Sequence, residues 1–174
     1  MKTEEFEDLF QKTLEELRDA ERQIVDSMPK WIASCFSEDL SGALQAHLDE
    51  TKQQLIRLDS IFEVTGAESS GRECKGMQGL LSEGADASER LERSMVRDIV
   101  IITAAQKVEH YEMAAYGSAC AIAEMLGQQE VFKILLDILA EEKNASESLA
   151  ELAKAILSGD TSLQAGARRT RSKN

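Results

Sequence analysis

A chain of 174 residues with a formal charge of −12, one Pro and three Cys is long enough for one compact domain and too short to make two ordinary ones. The acidic balance excludes a broad nucleic-acid-binding face, because neutralising phosphates is the main source of such affinity. Cys35, Cys74 and Cys120 are odd in number and widely spaced, which gives neither a disulfide framework nor a zinc motif, and no stretch reaches the roughly 18 apolar residues of a membrane span.

The N-terminal Met1-Lys2-Thr3-Glu4-Glu5 is acidic and carries no apolar signal core, so a reducing cytoplasm is the expected compartment. Abundant Ala, Leu, Glu, Lys and Gln favour an all-α fold. The first helix is expected over residues 4–35, where Phe10, Leu14, Leu17, Ile24, Met28 and Trp31 recur at spacings of three and four and make one stripe. Pro29 should kink or finish it by removing an amide donor. The second is expected over 38–65, capped by Glu38 or Asp39 and stopped at Gly66, with Leu40, Leu44, Leu48, Leu55, Leu58 and Phe62 along it.

Residues 66–93 hold Gly66, Gly71, Gly76, Gly79 and Gly84 and read as one long connection, with a short helical turn allowed before the next helix. The third long helix is placed over 94–123, with Ile99, Ile102, Met113, Tyr116 and Cys120 facing inward. After a tight turn at Gly127, the fourth runs over 129–157 through Phe132, Leu135, Leu139, Leu149, Leu152 and Ile156. Two helical hairpins joined by one long crossover are the connectivity of ferritin-like four-helix bundles, so that fold is expected over residues 1–160. Residues 161–174 carry Arg168, Arg169, Arg171 and Lys173 without an apolar period and read as a flexible basic tail.

Each apolar stripe is broken near its middle. Glu21 interrupts the first, His47, Thr51 and Gln54 the second with Glu50 on its flank, Gln106, Glu109 and Glu112 the third, and Glu142 and Ser146 the fourth. An unpaired carboxylate in a dry core costs several kcal/mol even after relaxation, so a converging set needs a cation or must stay protonated. Iron and manganese favour carboxylate oxygen with imidazole nitrogen, and bridging carboxylates from separate helices can hold two ions. Glu21, His47, Glu50, Glu109, Glu112 and Glu142 are therefore the candidate metal ligands. The other reading is a buried hydrogen-bond network among Glu109, Gln106, Gln54, Tyr116 and Thr51. His110, about 100° round the helix from Glu109, is expected near the surface or a subunit contact.

The segments Ala46-His47-Leu48-Asp49-Glu50-Thr51 and Ala105-Gln106-Lys107-Val108-Glu109-His110-Tyr111-Glu112, the latter followed by Ala115-Tyr116-Gly117, resemble the YciE/YciF stress-protein family over roughly residues 5–157. That resemblance implies a ferritin-like fold, a homodimer and a di-iron site, with His47 as the nitrogen ligand three residues before Glu50. Rubrerythrin is similar more distantly, in Glu109-x-x-Glu112 and in a first-helix ligand at Glu21. The Glu-x-x-His pairs of ferritin-like enzymes are replaced here by Glu50-x-x-Gln53 and Glu142-x-x-Ala145, and Ser146 stands where family members tend to be acidic.

Two functions follow as expectations. One is a di-iron protein, with manganese as the alternative metal, that oxidises Fe(II) or reduces oxygen or peroxide in a stress response. The other is a non-enzymatic stress-associated scaffold that keeps the bundle, pairs with its own copy through apolar residues such as Trp31, Phe36 and Ile122, and carries a degenerate site.

Overall fold

The computed structural model describes residues 3–65 and 71–159, and all the regular structure among them is helical: α1 Thr3–Ser34, α2 Glu38–Thr65, α3 Lys75–Glu89, α4 Met95–Met125 and α5 Gln129–Ser158. The stop expected at Gly66 and the basic tail lie outside the described residues. Helix α1 packs on α2 and α4, α5 packs on α4 and α2, and α3 lies across α1 and α4.

Phe10, Leu14, Leu17, Ile24, Met28 and Trp31 are all buried along α1, as one apolar stripe of a helix must be when it faces a core. Pro29 does not finish this helix, which runs on to Ser34. Pro29 is exposed, so a carbonyl that loses its amide partner there can be met by water, while buried Met28 and Trp31 anchor the chain on either side.

The capping residue of α2 is Ser37 rather than Glu38 or Asp39. Its hydroxyl accepts from the amides of Asp39 at 3.2 Å and Leu40 at 3.4 Å, satisfying donors that the first turn leaves free. Asp98, in the first turn of α4, reaches the same connection and accepts from the amides of Phe36 at 2.7 Å and Ser37 at 2.8 Å. That carboxylate is fully buried and has its partners.

The stretch between α2 and α4 holds much more than a short helical turn. Helix α3 has 15 residues and buries Met77, Leu81, Gly84 and Ser88 at helical spacing. Its glycines each lower intrinsic helix propensity by about 1 kcal/mol, which is why the stretch reads as a loop, yet two of them serve close packing. A Cβ on Gly76 would fall 2.6 Å from Tyr111 Cε2, and one on Gly84 would fall 2.7 Å from both Trp31 Cζ2 and Ala104 Cβ. Trp31 is thereby buried under α3 and is not free to form a partner face, and Ile122 is partly buried. Phe36 remains half exposed.

Helix α4 is capped by the Ser94 side chain, which accepts from the Arg97 amide. It buries Ile101, Ala104, Ala105 and Val108 as well as Glu109, Glu112 and Tyr116, because α3 and α1 cover faces that would otherwise meet water. Gly127, at φ +72°, makes the turn into α5.

The apolar interior is split in two. One cluster contains Ile24, Trp31, Leu40, Leu44, Ile101 and Val108. The other contains Leu14, Leu17, Leu58, Tyr116, Leu135 and Leu139. The stripe-breaking residues lie between them: Leu17 and Ile24 bracket Glu21, Leu44 and Leu58 bracket His47, Val108 and Tyr116 bracket Glu109 and Glu112, and Leu139 and Leu149 bracket Glu142. Each of four helices contributes to one polar layer across the middle of the core.

The two kinds of α3 glycine separate in a urea titration. Gly84→Ala is expected to lose about 1–3 kcal/mol through overpacking against Trp31 and Ala104. Gly79→Ala, with nothing within 4 Å of its added Cβ, is expected to gain about 0.4–1 kcal/mol.

Candidate metal centre

Helical periodicity places each polar-layer side chain. Glu109 and Glu112 stand one turn apart on α4, so both carboxyls project to the same side. His47 faces them from α2 and Glu142 from α5. One potential ligand atom from each of His47, Glu109, Glu112 and Glu142 lies within 4.8 Å of the others. All four are buried, at 7 % exposure for His47 and 1 % or less for the three glutamates.

Glu21 is fully buried on α1 beside this group. It accepts a hydrogen bond from the Tyr116 hydroxyl and meets Glu112 as a carboxyl pair. Glu109 meets Glu142 in the same manner. Two carboxyls at such separation bond only if one of them holds a proton.

Glu50 stands apart. It is half buried and not among the four converging residues. The inward positions of α2 are His47, Thr51 and Gln54, and Glu50 is one residue, or about 100°, from Thr51. It is nevertheless close enough that its charge bears on Glu109 and Glu142. His110 is exposed, as its angular position requires.

Burial dominates the electrostatics. It pushes the carboxyl of Glu21 up to about 8, with the charge of Glu142 adding to the shift. It pushes Glu142 up to about 7. Burial and neighbouring carboxylates hold Glu109 and Glu112 well above the usual range. The imidazole of His47 is pushed down to about 4 by burial. His47 Nε2 is 3.1 Å from Glu109 Oε1, an ion-pair distance, but desolvation of both groups favours the neutral pair over the charged one. A neutral imidazole is the form that ligates metal.

Hydrogen bonding leaves this layer unsatisfied. Apart from the carboxyl–carboxyl contacts and the approach of His47 to Glu109 within the cluster itself, both oxygens of Glu109 and Glu112, one oxygen each of Glu21 and Glu142, and both nitrogens of His47 lack a hydrogen-bond partner. The alternative network of buried polar groups is realised only at its edges. Thr51 donates to the His47 carbonyl at 2.9 Å and Gln106 to the Ser146 carbonyl at 3.4 Å, so both are satisfied by backbone. Gln54 does reach the layer, with its amide donating to Glu142 and, at 3.1 Å, to Glu141. The Arg57 guanidinium grips both oxygens of Glu141, a bidentate pair of the strong kind. The role of Glu141 is not visible in the stripes, because it sits one residue outside the inward register.

The donor set fits a divalent metal of the iron or manganese type. It offers hard carboxylate oxygens and one neutral imidazole, in a dry volume where the unpartnered atoms gain from a cation. Buried Asp98, which is fully hydrogen-bonded, shows that burial of an acid in this protein does not by itself leave its oxygens free.

Residues 5–161 match the family described as a Domain of unknown function, DUF892. The chain belongs to the DUF892 family. Protein YciF of Escherichia coli (strain K12) is 39 % identical over 154 residues, covering 88 % of this chain and 92 % of that protein. The crystal structure of the E. coli stress protein YciF superposes with a TM-score of 0.86 at 38 % identity, over 91 % of this chain and 99 % of that one. YcfI of Rhodopseudomonas palustris, named as a candidate structural protein, superposes with a TM-score of 0.81 at 39 % identity, over 83 % of this chain and 92 % of that one. This member of the DUF892 family is thus a YciF-like helical protein with a buried acidic and imidazole cluster. No helix among the described residues is long and apolar enough to cross a membrane.

The pH dependence of the metal-free protein follows from the raised carboxyls. Glu21 and Glu142 bind protons more tightly when folded, at about 8 and 7, than at the ordinary value of 4.5. Their contribution to stability is complete below about pH 4.5 and is lost as pH rises through the folded values. His47 acts oppositely, but only in the window from 6.5 down to about 4. Urea unfolding in the presence of a chelator is therefore expected to show falling stability between pH 6.5 and 8, with a shallower slope in Glu112→Gln.

Proposed function

We propose that this chain is a di-iron carboxylate protein of the ferritin-like class, with α1, α2, α4 and α5 as two antiparallel hairpins joined by the crossover that carries α3. It acts in the cytoplasm as a homodimer, and its role is to oxidise Fe(II) or to reduce oxygen or peroxide under stress. The observation that carries this reading is the convergence of His47, Glu109, Glu112 and Glu142 within 4.8 Å, in a core layer where six carboxylate oxygens and both imidazole nitrogens have no hydrogen-bond partner outside the cluster itself. The similarity to an E. coli stress protein supports the protective role.

Glu109, Glu112, Glu142 and His47 would hold the metal, with Glu21 completing the set from α1 and Glu50 from the flank of α2. Iron bound there supplies a Lewis acid and a store of electrons for a small oxidant. Everything else is done by the chain. Tyr116 donates to Glu21 and leaves its second oxygen free. Gln54 does the same for Glu142. The Arg57–Glu141 pair anchors Gln54 from the outer side. Burial keeps His47 neutral and holds the three converging glutamates away from bulk water, which strengthens the electrostatics of the layer. Protons held on the raised carboxyls must leave as metal enters, which ties binding to pH.

A scaffold with a degenerate site is the second reading. It is favoured by the single nitrogen donor, His47, among the converging ligands and by the naming of the Rhodopseudomonas relative as a candidate structural protein.

Metal analysis of purified protein is expected to give about two ions per chain, and metal at a hundredfold excess over Kd is expected to stabilise the fold by about 2.7 kcal/mol for each ion bound. A Glu112→Ala, Glu142→Ala double variant should lose both effects and, without metal, should be more stable than wild type because crowded carboxylates are gone. Equally small iron content in wild type and variant would establish the scaffold. Affinity should also rise between pH 6 and 8, as the carboxyls near 7 and 8 give up their protons.

A further inference from the structure

The most exposed of the four converging residues is His47, and it lines a cleft that the other three do not. The cleft has a volume of about 240 Å³ and runs between α2 and α5. Its walls are built from small side chains, Ala43 and Ala46 on α2 and Ala145 and Ser148 on α5, with His47 and Glu50 among its lining residues. At about 30 Å³ per water, that volume admits several waters together with an ion. Among its lining residues Glu50 alone is charged, and none is Lys or Arg. Two other clefts among the described residues differ in both respects. The one between α1 and α3 contains Lys30 and Arg97, the one near Tyr111 contains Arg72 and Lys75, and neither is lined by a residue of the converging group.

Building on the metal-centre reading, we propose that the α2–α5 cleft is the port through which divalent cations reach the centre, with Glu50 as the entry carboxylate and His47 as the first inner ligand. This gives Glu50, a flanking ligand in that reading, the further role of meeting the ion first. It stands outside the converging group, yet it lines the same cleft as His47. A carboxylate at a mouth without opposing cations raises the local concentration of divalent ions. It also replaces waters of the hydrated ion one at a time before the ion meets the dry layer. His47 lies one turn from Glu50 on the same helix, with its ring nitrogens bonded to nothing outside the cluster, so it can take the ion next. The alanines and Ser148 keep the passage open because larger side chains at those positions would fill it.

Loading kinetics test this directly. Metal-free protein is mixed with Co(II) in a stopped-flow instrument, and the visible absorption reports both the rate of uptake and the final amount bound. Ser148 is exposed, so Ser148→Cys can be labelled with a bulky maleimide after folding, while Cys35, Cys74 and Cys120 are buried. The labelled Ser148→Cys protein is expected to load much more slowly than the same protein unlabelled, and to reach the same final amount. Glu50→Gln should slow uptake about tenfold at low ionic strength, with the difference shrinking in high salt. Ser82→Cys, exposed and lining the α1–α3 cleft, should load at the wild-type rate when labelled. Unchanged loading in labelled Ser148→Cys, with full Co(II) bound, would overturn the port and leave the metal centre standing. No Co(II) bound by wild type would instead overturn the metal centre itself.

Discussion

Burying ionisable groups with polar atoms left unsatisfied is among the least favourable things a folding chain can do, and this chain does it with five residues in a single layer. Glu21, Glu109, Glu112 and Glu142 with His47 arrive from four different helices and meet between two apolar clusters. In a metal-free state the layer survives by holding protons, with burial driving the carboxyls up and the imidazole down. Each unsatisfied oxygen still costs on the order of 1–3 kcal/mol. A purely structural role would be served better by leucines of similar volume. The protein instead surrounds the layer with devices that aim the acids. Tyr116 fixes Glu21, Gln54 fixes Glu142, and the Arg57–Glu141 pair fixes Gln54.

Much of this was legible before any coordinates, and for a physical reason. A long amphipathic helix repeats at 3.6 residues, so a polar residue on its inward face stands out, and Glu21, His47, Glu109, Glu112 and Glu142 were recognisable on that ground alone. Glu50 was harder to place. Its side chain is about 100° from the inward position of Thr51, and the structure puts it at the edge of a cleft rather than in the converging group. Helix α3 was the main loss. Its glycines looked like breakers because their other function, allowing Tyr111 and Trp31 to approach the backbone, is tertiary and has no local signature. The same blindness let Trp31, already on the inward stripe, be offered as a partner face although α3 covers it, and it hid the capping role of Ser37, where a hydroxyl just before the helix outcompeted the acids just inside it.

Helix α3 also explains why α4 could carry the site. By lying across α4 and α1, α3 buries the back of α4, so Glu109 and Glu112 are held on a helix covered on several sides. The opposite flank, between α2 and α5, is lined by alanine and serine. Clefts lie on both flanks, but of those described the α2–α5 one is lined by a residue of the converging group and the others are not, an asymmetry suited to a site that must be buried and yet reachable.

The central claim is that a cation, rather than protons alone, is the partner for these acids. Anomalous diffraction from crystals grown with Mn(II), recorded above and below the manganese absorption edge, addresses it most directly. The account predicts strong anomalous peaks within ligand distance of His47, Glu109, Glu112 and Glu142. Clear density for the same side chains with no anomalous signal among them would contradict it.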